Sequence, residues 1–270
     1  MLGGHLDLVC AARSSGESYL ARQSFCAPIH LSKPHQDEGA LVVNVVNPTA
    51  GLLAGDRIAL RIAVEEGARL LLTAPSASRA HCTGDGEAEM TQDFHVEAGG
   101  SLESLPELFI PQRGARYRQT TTIDLQPGGE LLFFETLAPG RVAMGEAFAY
   151  ARLQWATDLY LGGNLIVRER YELAPGSAAL RALQSQFPAG YYGSCWVLSP
   201  QLSERSSCWS AIHGLHEPSA WVGCSELYRS GWSIKVLADS SVLLRRKMNA
   251  IRQEIYVSLG RPAPALRRSA

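Results

Sequence analysis

The tightest constraint in this chain is a turn that recurs. VEEGARL, VEAGGSL and LQPGGEL each run apolar residue, two others, Gly, small residue, one free position and Leu; the leading glycines are Gly67, Gly99 and Gly128, 32 and 29 residues apart. Glycine adopts the positive φ that such turns require. A turn repeated before an apolar strand describes units that cannot bury their faces alone and must stack. The fold class expected is mainly β, built of stacked β layers.

Between about residues 40 and 173 the runs ALVVNVV, RIALRIAV, ARLLLT, EMTQDFHV, RQTTTIDL and ELLFFETL have the alternation and β-branched content of strands. Gly and Pro interrupt them about every ten residues, the spacing of a sandwich, barrel or solenoid and not of helix-linked parallel units. With 46% hydrophobic residues, 25 Gly and 14 Pro, the chain is a folded one rich in tight turns. Its 270 residues could form one large β domain or two small ones, and the unbroken pattern favours a single domain over 1–270.

Two helices are expected. GSAALRALQSQFP, residues 176–188, is short, amphipathic and ended by Pro188. Residues 240–259 put Val242, Leu243, Met248, Ile251, Ile255 and Leu259 largely on one face, with Ser240 or Ser241 as the N-cap and Gly260 as the stop. The remainder, about 260–270, has the composition of a mobile tail.

A net charge of −1 gives no general footprint for nucleic acid, although Arg245-Arg246-Lys247 form a local basic cluster. The first residues lack a basic segment followed by a long apolar one, and no apolar run reaches the roughly 18 residues of a membrane span. A soluble, cytoplasmic protein is expected. The six cysteines, at 10, 26, 82, 195, 208 and 224, include no CxxC pair and read as small buried hydrophobes or unreactive thiols in a reducing compartment. Cys82 is the exception, since it follows His81 beside TGDGE, where contact with a soft metal is feasible.

Catalytic apparatus is not visible. No HxH, P-loop, GxSxG or HExxH sequence occurs, and His213 and His216 in HGLH have no preceding Glu, so they read as loop histidines. Four acids stand in unusual local chemistry: Asp56 in AGD, Glu107 in LPE, Glu135 in FFETLAPGR and Glu146 in MGEAF. A carboxylate behind LLFF or a Leu-Pro step that becomes buried needs an arginine, a donor or a metal. Each acid either pairs structurally or serves an ion path. For Asp56 the local alternative is a cap on the loop shaped by Pro48, Gly51 and Gly55.

NPTAGLLAGDRIALRI, GARLLLTAPSASRAH, SLESLPELFIPQRGARYRQ and ELLFFETLAPGRVAMGEAF, in this order and spacing, resemble the successive motifs of the urease accessory protein family UreD, also called UreH. The likeness spans about residues 40–173, and IKVLADSSVLLRRKMNAIRQEIYVSL resembles that family's closing strand and helix. The resemblance implies an elongated, mainly β fold, a β-solenoid or helical β-sandwich-like single domain, and a non-enzymatic chaperone with no permanently bound cofactor. It also implies UreF and UreG as partners, delivery of nickel to apo-urease, and transient Ni2+ passing through an internal channel. By motif, Asp56 matches the acid of the family's GGD step, Thr73 and Pro75 its TxP step, Glu107 its LPE step and Glu135 the acid before GR. Departures are Ala50 and Ala54 in place of glycines, Arg79 where Lys is common, and the HCTGDGE connection.

On this reading Asp56, Glu107 and Glu135 form the transient nickel path, carboxylates being acceptable ligands for a cation of intermediate hardness. The closing helix, through Ile251 and Ile255, contributes to UreF binding, unless those residues pack on their own domain. The alternative is a cupin-like or β-solenoid metal enzyme using His81, His95, Glu103 or Glu107. A third class is a plain binding module for another complex.

Overall fold

The repeated turns stack. In the computed structural model, which describes residues 3–49, 51–82, 84–203 and 205–266, Gly67, Gly99 and Gly128 have φ of 73°, 72° and 88°. Ser101 N–H donates to Ala68 O at 2.9 Å and Glu130 N–H to Gly100 O at 2.8 Å, so each turn is bonded to the one before it. Each turn also carries the chain from one sheet to the other: Arg57–Val64 to Arg69–Thr73, Ala88–Val96 to Ser101–Leu105, and Arg116–Leu125 to Glu130–Leu137. Within each sheet the three successive strands are parallel neighbours, as stacked coils require.

The coils are extended on both sides. Gly3–Ala12 joins Arg57–Val64 in parallel, Arg152–Leu161 joins Arg116–Leu125 in parallel, and Ala40–Val46 joins Arg69–Thr73 in parallel. Antiparallel strands close the first sheet, Ser18–Cys26 at one edge and Asn164–Leu173 at the other. The second sheet continues antiparallel through Tyr191–Leu198, Trp232–Ala238 and Ala220–Glu226.

Residue alternation distinguishes the two sheets. RYRQTTTIDL in the first buries every second side chain and turns the others to solvent, whereas ELLFFETL in the second is buried at every position but Thr136. A strand covered on both faces reads as a continuous apolar run. Leu131 and Phe133 face the first sheet, in a core with Leu6, Ile58, Leu102 and Trp196. Leu132 and Phe134 face the other way, in a second core formed with the helices.

Among the described residues the helices are α1 (Ala178–Gln186), α2 (Cys208–His213) and α3 (Ser241–Ser258). α1 and α3 fall where the sequence predicts them. Ser177 and Ser240 cap them, each accepting from a backbone N–H three residues on. The apolar stripe of α3 differs by one position from the expected one: Val242 is 69% exposed, and Leu244 heads the buried row with Met248, Ile251, Ile255 and Leu259. Ile251 and Ile255, weighed as partner contacts, are both 0% exposed and lie in the second core. Their full burial contributes about 1.5–3 kcal/mol each, and it makes them the seam between α3 and its own sheet.

The segment expected to be a mobile tail is docked over 261–266. Arg261 pairs with Glu130, Pro264 O accepts from Arg252 Nη2 at 2.9 Å, and Ala263 and Leu266 pack on the second core. Buried acceptors on the sheet hold it there; residues 267–270 lie outside the described residues. His213, expected in a loop, instead ends α2, and His216 Nδ1 accepts from Val222 N–H at 3.4 Å.

Candidate functional site

Inward-facing positions at one end of the solenoid are polar, and they surround a cavity of about 250 Å³ between the sheets. Gln119 and Trp155 reach it from the first sheet and Glu135 from the second, on the same strand face as Phe133. Glu135 is 6% exposed. Its Oε1 accepts from Trp155 Nε1 at 2.7 Å and from Gln119 Nε2 at 2.9 Å, while Tyr117 O–H donates to Gln119 Oε1 at 2.8 Å and so fixes the orientation of that amide. Both donors go to one oxygen. Glu135 itself lines the cavity.

Burial pushes the Glu135 carboxyl up to about 7, with Glu169 adding to the rise and the Trp155, Lys235 and Gln119 contacts opposing it. Enclosure thus favours the neutral acid, and the two donors on Oε1 favour the carboxylate. Near neutrality this group therefore exchanges between a proton and a charge, in a cavity whose lining mixes Phe94, Phe133 and Met90 with Gln92, Ser104 and Arg79.

Glu107 lies on the wall of the same cavity and also lines a larger open groove, about 950 Å³, that runs along α3. Thr73, Ala74, Pro106 and Thr136 line both spaces, so the two adjoin at Glu107. There Arg245 Nη2 lies 3.0 Å from Glu107 Oε2. Arg245 is two-thirds exposed, which makes the pair readily opened. Thr73, the threonine of the TxP step, donates its hydroxyl to Leu105 O at 2.8 Å and holds the adjoining backbone, and Pro75 lines the groove.

Asp56 is placed differently. It is 2% exposed, its Oδ2 accepts from Leu53 N–H at 2.9 Å, and it is not among the residues lining the cavity. It caps the glycine-rich loop. Gly51 is required there because a Cβ would meet Arg79 O at 2.6 Å, and Arg79 O accepts from Leu52 N–H at 2.8 Å in the contact that fixes the loop. Ala54 backs this loop against Gly86, and Ala50 lies outside the described residues. The structure thus brings Glu107 and Glu135 to one cavity and leaves Asp56 behind its rim.

The remaining acids are paired. Glu146 is gripped by Arg141 through bonds of 2.7 and 2.6 Å, which hold its carboxyl below the usual range. Glu103 faces α3 and meets Arg252 and Tyr256 in a buried network. His95 lies 3.2 Å from Asp124 on the first sheet, and His81 stands near Gln112. The four ligands of the alternative metal enzyme therefore do not converge, and no cluster of three His, Cys, Asp or Glu side chains able to hold a metal occurs among the described residues. Sequence reasoning missed Gln119, Trp155 and Arg245. Gln119 was detectable as a polar residue at a buried position of RYRQTTTIDL; Arg245 was detectable only as charge on a helix.

Fold and cavity define a class: a β-solenoid scaffold, backed by helices on one sheet, with an acid-bearing space between its layers. The profile of the UreD urease accessory protein family matches residues 3–270. The chain is 45% identical over 254 residues to the urease accessory protein UreD of Opitutus terrae, covering 92% of both. It is 36% identical over 175 residues to that of Deinococcus radiodurans, covering 64% of this chain and 63% of the relative. For the UreD of Pseudomonas putida the figures are 38% over 157 residues, covering 58% and 56%. The chain belongs to the UreD family of urease accessory proteins, which assist an enzyme and are not named as enzymes themselves.

Proposed function

We propose that this protein is a scaffold for nickel delivery to apo-urease, working in the cytoplasm with UreF and UreG, and that the Glu135 cavity and the α3 groove form the passage for the ion. The observation that carries this reading is the adjoining of the two spaces at Glu107, with a second carboxyl, Glu135, on the cavity wall. Two single-carboxylate stations on a wall that also carries Thr73, Ser104 and Thr136 attract a hydrated divalent cation without the three or more convergent ligands that would trap it. An arriving cation displaces Arg245 from Glu107, since the exposed guanidinium returns to water at little cost. Nickel here is cargo. Family membership supports the process, and the adjoining of the two spaces at Glu107 supports the route.

The test is the double variant Glu107→Gln, Glu135→Gln, which keeps size and removes charge. The expected result is normal co-purification with UreF and UreG but a several-fold lower nickel content in the matured urease. Full nickel content with the variant assembled would overturn the route, and failure of the unmodified chain to enter any such complex would overturn the scaffold role.

A further inference from the structure

The six thiols of this chain are not equivalent. Burial holds Cys10 and Cys224 up at about 12 and raises Cys195 and Cys208 as well, so these four stay protonated and unreactive. Of the other two, Cys82 is the more exposed; its sulfur lies 3.9 Å from Gly84 O and packs beside Gly114.

Cys26 is built into a site. It ends the edge strand Ser18–Cys26 and stands directly across from His5 in the antiparallel pairing with Gly3–Ala12, where cross-strand side chains meet. Its Sγ lies 3.1 Å from His5 Nδ1, and the other ring nitrogen, Nε2, lies 2.9 Å from Ser24 Oγ. All three side chains project from the outward face, since Leu6 and Leu8 take the inward positions. On that face Asp7 and Arg61, 3.5 Å apart, are the adjacent charges. Assigning the Nε2 proton to the Ser24 contact leaves the Nδ1 lone pair directed at the thiol. A nucleophile, a base within hydrogen-bond reach and a third group orienting the base are the parts of an activated thiol.

We propose that Cys26 is the reactive cysteine of this protein, activated by His5 with Ser24 as the positioning residue, and that it is a site of thiolation by low-molecular-weight disulfides. His5 Nδ1 accepts the thiol proton as the sulfur attacks one sulfur of RS–SR. The Cys26–SR bond forms while the RS–SR bond breaks, and the departing RS⁻ takes the proton back from the imidazolium. The net change is one protein thiol and one disulfide converted to one mixed disulfide and one free RSH, with the small disulfide as oxidant. The adduct stands on the outer face at a sheet edge, clear of both cores.

Exposure alone ranks Cys82 first, so the proposal is sharply testable. The native chain is treated with limiting glutathione disulfide, quenched, and each cysteine is followed by peptide mass spectrometry. Cys26 is expected to react at least about tenfold faster than Cys82, and His5→Gln to slow Cys26 by at least about tenfold without changing the Cys82 rate. Ser24→Ala is expected to give a smaller loss that Ser24→Thr restores. These positions face outward, so unchanged unfolding transitions will confirm that the variants are folded. Cys82 reacting as fast as Cys26, or folded His5→Gln reacting at the unmodified rate, overturns the proposal.

Discussion

Replacing Glu135 by Gln isolates the cost of holding an ionisable acid inside the solenoid. The amide oxygen can accept from Trp155 and Gln119 as Oε1 does, so the hydrogen bonds and the volume are retained. Only the titration is lost. Below pH 4.5 the unmodified residue carries its proton in both the folded and the unfolded chain; between 4.5 and about 7 the folded chain keeps a proton that the unfolded chain has released. Proton binding therefore favours the folded state at low pH, and that stability is lost as pH rises through about 7. The interval corresponds to about 3 kcal/mol, with no discount for solvent because the group is enclosed. Urea unfolding of both proteins at about pH 5 and about pH 8 is the assay. The variant is expected to lie within about 1 kcal/mol of the parent at the lower pH and to be about 2–3 kcal/mol more stable at the higher. Equal stabilities at both pH values would refute the burial argument and, with it, the neutral-acid reading of the cavity.

Two further outcomes follow from the second core. Glu103→Leu and Arg252→Met each leave a charge buried without its partner and should cost about 3–5 kcal/mol, whereas the double substitution should cost far less than their sum; additive losses in denaturant unfolding would mean that the pair is not coupled. Ile251→Asp, at a position 0% exposed, should destabilise the isolated chain by at least about 4 kcal/mol and abolish partner binding only through unfolding. A folded Ile251→Asp chain that selectively fails to bind a partner would show that this face of α3 is an interface.

What could be read from the sequence was whatever repeats or alternates. The turns at Gly67, Gly99 and Gly128 gave the stacking, and RIALRIAV the strand Arg57–Val64. The amphipathic run ended by Pro188 gave α1, and the serine cap with the apolar stripe gave α3. α2 was missed because six residues, CWSAIH, are too few to display a period, and the docking of 261–266 was missed because its contacts are made to residues far away in the chain, Glu130 and Asp37 among them. The site was half legible. Glu135 and Glu107 were singled out by their neighbours; Asp56 was grouped with them although its turn-rich loop also offered the cap that the fold uses. Arg245 lies 138 positions from Glu107, and only tertiary structure joins them.

The double covering of the second sheet sets an order on the birth of the protein. Leu71, Leu132, Phe134 and Val197 lie in the core that α3, beginning at Ser241, helps to cover, so a ribosome delivers these four strand positions before that helix. Until the last residues emerge, the nascent chain displays an apolar surface on the side away from the first sheet. The strap 261–266 follows α3, and its contact at Pro264, unlike those of Arg261 with Glu130 and of Ala265 with Asp37, needs the side chain of Arg252 in place on that helix. A chain stopped before Ser241 presents its synthesis machinery with a solenoid that carries α2 but not α3 on that side.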